Sequence, residues 1–245
     1  MAEPKELVER LEQGAKLPSG NEERFSGYGV LGVPFTSGNL LAMRRFPASS
    51  LGESYTSVWH RDPQGRWTIY TSVAPHLACP RYFGSAIDET GVREIEISWT
   101  SPRDFTLSIE EDPALEWHLS LGQTPATRLI NAVGSVLPDA LWRKEAVLKA
   151  MGKAGGLMLR AGRLPLAGLV PNGQRFFLIP KDIWMVQSST ARMAKQDLGS
   201  VGPLAVQTRL ADFWIPQRGM FVMGHAFFEP LDPARHALPM VTSSA

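Results

Sequence analysis

A strict alternation of apolar and polar residues runs through the stretch 91–121. Every second residue is apolar at 95–99, 105–109 and 115–121, and turn-type sequences containing proline separate the three segments. Side chains on a strand point to opposite faces in turn, so each segment has one apolar and one polar face. The pattern therefore predicts an antiparallel meander of three strands.

Short segments rich in β-branched and aromatic residues continue on both sides of this meander. The further predicted strands are 27–33, 39–46, 54–60, 66–72, 166–170, 174–179, 183–187, 204–210 and 220–229. Glycine, proline and serine separate most of them, a pattern typical of an all-β sandwich or barrel. A short amphipathic helix is predicted before them, at 4–14.

The hydrophobic period changes to a helical one between 124 and 162. Thr124 can cap a first helix with Pro125 at its first position, and a second helix is predicted from 139 to 151, with Gly152 as its stop. We predict an all-β fold, an antiparallel barrel or closed sandwich, in which this helical insert caps a single domain spanning 1–245. The alternative is a split into two domains at the insert. One domain is preferred, because two small open sheets would leave unprotected edges.

Composition and charge point to an ordinary globular protein. The chain is 44% hydrophobic and 20% charged, with a formal net charge of +1, so no nucleic-acid partner is expected. Cys79 is the single cysteine, which excludes an internal disulfide and fits a reducing compartment. The first residues lack the apolar core of a secretion signal, and no run of 18 apolar residues occurs. A cytoplasmic location is expected.

Common catalytic and metal-binding motifs are absent from the sequence. The five histidines are far apart, and there is neither a phosphate-binding loop nor a nucleophile elbow, so we expect no metal and no cofactor. Cys79 follows His76 and precedes Arg81, two residues that could favour a thiolate. The preferred interpretation of Cys79 is a small buried apolar residue beneath a loop.

Charged residues set among aromatic ones are the better candidates for a binding site. The candidate ligand-binding residues form two clusters: Arg44, Trp59, His60, Arg81 and Tyr82 in the first, and Asp212, Trp214 and Arg218 in the second. A ligand pocket needs apolar walls and a few polar groups that orient the ligand. In the alternative, arginine and tryptophan stack at the barrel rim for structural reasons alone.

The insert is strongly basic between 143 and 163. It contains six basic residues against Glu145 alone, which gives +5: Arg143, Lys144, Lys149, Lys153, Arg160 and Arg163. The preferred interpretation is a cap whose apolar residues Leu148, Met151 and Leu157 rest on the barrel. In the alternative, a basic amphipathic helix makes weak peripheral contact with an anionic membrane.

The segments SVWHRDPQGRW and CPRYFG are similar to those of uncharacterised bacterial proteins. With its many short aromatic-rich strands and one helical element, the chain resembles bacterial lipocalin-like proteins, the calycin-type group that includes carotenoid-hydratase-related barrels. The resemblance implies a lipocalin-like barrel. It matches no catalytic motif, so it assigns no residue a catalytic role.

Three functions follow from these observations. The first is binding of a small lipophilic molecule inside the barrel, beneath the helical cap. The second is an isomerase, cyclase or hydratase that acts on an isoprenoid or polyketide, with His60 or Asp212 as the acid–base group. The third is a membrane-peripheral module that uses the basic insert. The sequence specifies neither the ligand nor the oligomeric state.

Overall fold

The computed structural model of the chain describes residues 2–136 and 139–237. In them the helices are α1 (Pro4–Gly14), α2 (Pro80–Phe83), α3 (Pro125–Val136), α4 (Asp139–Trp142) and α5 (Glu145–Met158). The strands are β1 (Glu23–Pro34), β2 (Leu40–Ser49), β3 (Tyr55–Arg61), β4 (Trp67–Thr71), β5 (Glu89–Val92), β6 (Glu96–Trp99), β7 (Asp104–Ile109), β8 (Leu115–Gly122), β9 (Ala167–Leu169), β10 (Arg175–Met193), β11 (Gln196–Asp197), β12 (Arg209–Leu210), β13 (Phe213–Trp214) and β14 (Met220–Phe228).

One large sheet carries most of the strands, in the order β5-β4-β3-β2-β1-β14-β10-β8-β7-β6. All neighbours in this order are antiparallel except β4 and β5, which are parallel. The predicted meander is present, with Ile97 opposite Leu107 and Leu107 opposite Trp117. A mostly antiparallel, mostly-β fold with few helices is therefore confirmed.

The sheet is strongly curled. The rings of Trp99 on β6 and Phe221 on β14 have centroids 6.1 Å apart, although three strands lie between β6 and β14. With neighbouring strands about 4.8 Å apart, a flat sheet would hold β6 and β14 about 19 Å apart. We call the face that carries these two rings the inner face and the opposite face the outer face.

The predicted closure of the sheet is not formed in the described part of the chain, since β5 and β6 end the strand order without pairing with each other. Both are only four residues long. Helix α1 packs against the inner-face core through Val8, with Leu7 and Leu11 partly buried against the same core. The structure is thus an open half-barrel with a helix against its inner face.

Side chains fill the inner face, and a second core covers the outer face. Met43, Val58, Leu107, Trp117 and Phe221 are fully buried in the inner core. The outer core contains aromatic residues of β1, β3, α2, β10, β13 and β14. A recess of about 510 Å³ remains on the inner side between α1 and the sheet, where Tyr28 and Trp99 are among its lining residues. A more apolar cavity lies on the outer face.

Three segments differ from their predictions. β10 is one strand of 19 residues where two were predicted, and an irregularity in its pairing with β14 between Pro180 and Asp182 explains the break in the pattern. Only residues 209–210 of the predicted strand 204–210 are extended in a ladder. Helix α5 continues through Gly152, where a Cβ atom would lie 2.2 Å from the Leu164 carbonyl oxygen. The glycine allows close packing there and does not end the helix.

In the residues that the structure describes, no helix combines the length and the apolar character needed to cross a membrane.

Candidate functional site

A cavity of about 150 Å³ lies between the outer face of the sheet and the helical insert. Its floor consists of β1, β2, β10 and β14, and its walls are formed by β3, α2 and β13. Its roof comes from α3, α4, α5 and the segment that follows α5. The insert therefore covers the cavity, which lies on the outside of the half-barrel and not in its interior.

Glycines leave part of the cavity floor without side chains. Gly27 and Gly29 on β1 line the cavity, as does Gly224 on β14, which pairs with Gly27. A Cβ atom at Gly27 would lie 2.1 Å from the Arg45 carbonyl oxygen, and one at Gly29 would lie 2.4 Å from that of Met43. Because these contacts are with backbone, no larger residue fits without moving the strands.

Two polar side chains belong to the roof. Asn131 on α3 is buried and holds that helix to β10: its Nδ2 donates to the Ile183 carbonyl at 3.1 Å, and its Oδ1 accepts from the Ile183 N–H at 2.9 Å. Trp142 is also buried, but its indole N–H has no hydrogen-bond acceptor among the described residues. An unpaired buried donor is costly, so a polar ligand atom at this place would be favourable.

Arg44 on β2 places a buried positive charge at the cavity floor. The residue is 7% exposed, and its guanidinium lies 5.1 Å from the ring centroid of Trp59 and 5.9 Å from that of Phe213. Nη1 donates to the carbonyls of Val30 at 2.6 Å and Met43 at 2.8 Å, and Nη2 donates to that of Leu31 at 3.3 Å. Within the described residues it forms no ion pair with a carboxylate.

Burial changes the pKa values of Arg44 and of its neighbour Tyr55. Desolvation lowers the pKa of Arg44 to about 10, so the guanidinium is still charged at neutral pH. Burial also raises the pKa of the neighbouring Tyr55 well above its ordinary value, which keeps that hydroxyl neutral. Cys79 is buried beside them, and its Sγ accepts a hydrogen bond from Ser57 Oγ at 3.2 Å. In the described part of the chain, Arg44 therefore keeps its positive charge without a carboxylate partner, and Lys181 on β10 is a second basic residue of the lining.

The structure brings half of the predicted site residues to the cavity. Arg44, Trp59, Tyr82 and Trp214 line it, and they come from both predicted clusters. Tyr82 packs its ring on Phe228 with centroids 3.8 Å apart, and its hydroxyl donates to Glu23.

The other four predicted residues lie elsewhere. His60 is hydrogen-bonded to Asn39 at 2.8 Å. Arg81 forms an ion pair with Glu23 at 2.7 Å. The side chains of the remaining two form hydrogen bonds with the backbone: Asp212 accepts from the Leu169 N–H at 3.0 Å, and Arg218 donates to the Leu159 carbonyl at 3.3 Å.

Several lining residues were not predicted from the sequence, namely Gly27, Gly29, Asn131, Trp142, Phe213 and Gly224. The spacing of Gly27 and Gly29 was a usable signal, because two glycines two residues apart in a strand leave one face open. Asn131 and Trp142 gave no such signal, since their positions depend on how the insert folds back onto the sheet.

The insert presents apolar side chains to the solvent as well as to the cavity. Leu148 is buried and Met151 is half-buried, as predicted, but Leu157 is 80% exposed, so the expectation that it rests on the barrel is wrong. Helix α3 behaves similarly. Thr127 and Asn131 face inward, whereas Leu129, Val133 and Val136 are exposed on the opposite side of the helix.

Within residues 2–136 and 139–237, no three His, Cys, Asp or Glu side chains are grouped so that they could hold a metal ion.

Comparisons with known proteins place the chain in no family. No family model matches it, and no curated protein matches it. Among solved structures, it is similar to an acetoacetate decarboxylase from Legionella pneumophila, with 9% sequence identity and a TM-score of 0.42 over 92% of this chain and 90% of that one. Similarity at this level supports no argument about function, and the proposals below rest on the residues of this chain.

Proposed function

We propose that the protein binds a small lipophilic molecule in the cavity between the sheet and the helical insert. The observation that supports the proposal is the cavity itself, which is enclosed by Trp59, Phe83, Phe213 and other apolar side chains. Ligand sites are typically concave and mostly apolar, with a few polar groups that fix the orientation of the ligand. Arg44, Asn131 and Trp142 are polar groups of this kind.

The apolar lining of the cavity favours a ligand. Side chains beside an unfilled space lack contact partners on that side, and an apolar molecule that fills about 150 Å³ would supply these contacts. A dry apolar cavity of about 150 Å³ holds a molecule the size of benzene. A longer isoprenoid or lipid chain would require the cap to move.

The first test measures ligand-induced stabilisation. Toluene is expected to raise the melting temperature of the protein saturably, because a ligand that binds only the folded state stabilises it by about 2.7 kcal/mol at 100 times its Kd. Ala226→Leu, which places a larger side chain in the cavity wall, should weaken this effect. Ala154→Leu on the exposed side of α5 is the matched control and should not change it.

Circular dichroism of both variants would show whether the fold is retained. If toluene and related small apolar molecules give no saturable effect at about 1 mM, which corresponds to roughly −4 kcal/mol, the proposal fails.

A second candidate function is contact with an anionic membrane through the insert. The observation that favours it is the exposed apolar set Leu129, Val133, Val136 and Leu157, which lies in the same insert as the six basic residues. Three of these basic residues have other contacts: Lys149 pairs with Glu145, Arg143 with Glu22, and Arg163 stacks on Trp214. Charge and exposed apolar surface together are typical of interfacial helices.

Co-sedimentation with phosphatidylserine vesicles tests this second function. If it is right, the protein binds at 0.1 M salt and is released near 1 M, because the Debye length falls from about 10 Å to about 3 Å. Leu157→Ser and the triple change of Lys149, Lys153 and Arg160 to Gln should each weaken binding, whereas Leu210→Ser, a change at a buried position outside the insert, should affect only stability. Binding that is absent, or equal for neutral vesicles, contradicts it.

Catalysis is not proposed, because His60 and Asp212, the predicted acid–base candidates, are not among the residues that line the cavity. The lipocalin-like character and the cytoplasmic location inferred from the sequence stay predictions.

A further inference from the structure

Resting on the proposed function, we infer that the cavity selects small apolar monoanions, in which a carboxylate binds Arg44 and the apolar body fills the space beneath the cap.

Arg44 carries a positive charge that no described carboxylate compensates. A buried charge is normally paired, because its transfer from water to an apolar medium is costly. Arg44 is only 7% exposed, yet none of the described carboxylates forms an ion pair with its guanidinium. The carbonyl oxygens and aromatic rings around it offer only partial negative charge. An anion in the cavity would complete the pairing.

Two of the N–H bonds of the Arg44 guanidinium have no acceptor among the described residues. A guanidinium has five N–H bonds in a fixed planar arrangement. Both on Nη1 and one on Nη2 donate to backbone carbonyls. In the described part of the chain, the N–H on Nε and the second N–H on Nη2 have no acceptor, and Nε and Nη2 share one edge of the guanidinium plane. Two parallel donors of this kind match the two oxygens of a carboxylate.

Charge balance at Arg44 favours a carboxylate over a phosphate. Arg44 brings one positive charge to its part of the cavity, where burial keeps Tyr55 neutral, and Lys181 on β10 is a second basic residue of the lining. A carboxylate neutralises the charge of Arg44 one to one. A phosphate monoester carries about −1.5 to −2 at neutral pH, so Arg44 alone would leave part of its negative charge unpaired. The cavity volume of about 150 Å³ further limits the body of the ligand to about one ring or a short branched chain.

Arg44 also has a structural role in the sheet, and the test has to separate this role from ligand binding. The carbonyls of Val30 and Leu31 lie where the pairing of β1 with β2 is irregular, and Arg44 provides donors for them. Loss of stability in an Arg44 variant therefore says nothing about a ligand. The readout must be the ratio of affinities for two ligands of the same shape.

The experiment compares benzoate with toluene, and phenyl phosphate with benzoate, by calorimetry and ligand-observed NMR. Wild-type protein is expected to bind benzoate at least tenfold more tightly than toluene, and more tightly than phenyl phosphate. Arg44→Met should abolish the preference for benzoate while toluene still binds. Arg44→Lys keeps the positive charge but loses the two parallel N–H donors of the guanidinium. It should therefore give an intermediate ratio of benzoate to toluene affinity. Arg192→Met, at an exposed position of β10, is the matched control and should leave the ratio unchanged.

The outcomes are distinguishable. If toluene and benzoate bind wild-type protein equally, or if Arg44→Met keeps the wild-type ratio, the inference is overturned while the proposed function stands. If neither molecule binds wild-type protein, the proposed function itself fails. If Arg44→Met does not fold, the inference is tested on wild-type protein alone, by the ratio of benzoate to toluene affinity and by the NMR shift of the Arg44 Nε–H resonance on ligand binding. A shift with benzoate but not with toluene supports the inference, and equal shifts contradict it.

Discussion

Leu107→Asp is expected to unfold the protein, whereas Glu96→Lys should leave its stability nearly unchanged. Leu107 is fully buried at the centre of the meander, between Ile97 on β6 and Trp117 on β8. A carboxylate placed there has no partner, and burying it would cost several kcal/mol, on the order of the whole stability of a domain. Glu96 lies on the opposite, exposed face of β6.

Urea denaturation followed by circular dichroism measures both changes. Ile97→Asp is a graded control, because Ile97 is only half-buried on an edge strand and should be destabilising to a smaller extent. Equal effects of Leu107→Asp and Glu96→Lys would contradict the register of the meander.

Glu23→Gln is expected to destabilise the protein by about 1–3 kcal/mol near neutral pH. Glu23 is the partner of three residues around the cavity wall: Arg81 donates to it at 2.7 and 3.1 Å, Tyr82 at 2.5 Å and Gln174 at 3.3 Å. These contacts join β1 to α2, which carries Tyr82 and Phe83 at the cavity. The amide keeps the size of the side chain but removes the negative charge that Arg81 requires.

The same residue predicts a pH dependence. Burial alone would raise the pKa of Glu23, but hydrogen bonds from Arg81, Tyr82 and Gln174 outweigh it, so the pKa lies below the ordinary 4.5. A lowered carboxyl pKa stabilises the folded state above 4.5, and this contribution is lost as the pH falls through the lowered value. The difference in unfolding free energy between wild type and Glu23→Gln should therefore shrink below pH 4.5.

Denaturation at a series of pH values measures this difference. Glu110→Gln, at an exposed position on the polar side of the meander, is the matched control and should track the wild type throughout. A Glu23→Gln deficit that stays constant from pH 7 to pH 3 would show that the ionised carboxylate is not what stabilises the fold.

Prediction from the sequence was most successful where a local period decides the structure. Alternation over 91–121 fixed three strands and their inward-facing side chains, because strand geometry gives side chains a period of two. The helical period likewise located α1 and the insert. Prediction failed at Gly152, which a local rule treats as a helix stop, because its role there is to admit the backbone of Leu164.

The candidate site was only partly predictable. Aromatic and charged residues close together in the sequence correctly suggested Arg44, Trp59, Tyr82 and Trp214. The same reasoning also selected Arg81 and His60, whose partners Glu23 and Asn39 are distant in sequence. The pattern of charges along the sequence does not show whether an arginine pairs with a carboxylate in the folded chain, as Arg81 does, or lacks such a partner, as Arg44 does in the described part of the chain.

The sequence by itself determined the strands, the helical insert and the set of polar and aromatic residues available for a site, because these depend on neighbours along the chain. The tertiary structure alone decided that the sheet stays open, that a core of side chains packs on its inner face, and that the apolar cavity lies on its outer face beneath the insert. These features depend on sheet curl and on which distant side chains meet. For the same reason, only the folded chain shows Arg44 buried in the cavity wall without a negatively charged partner among the described residues.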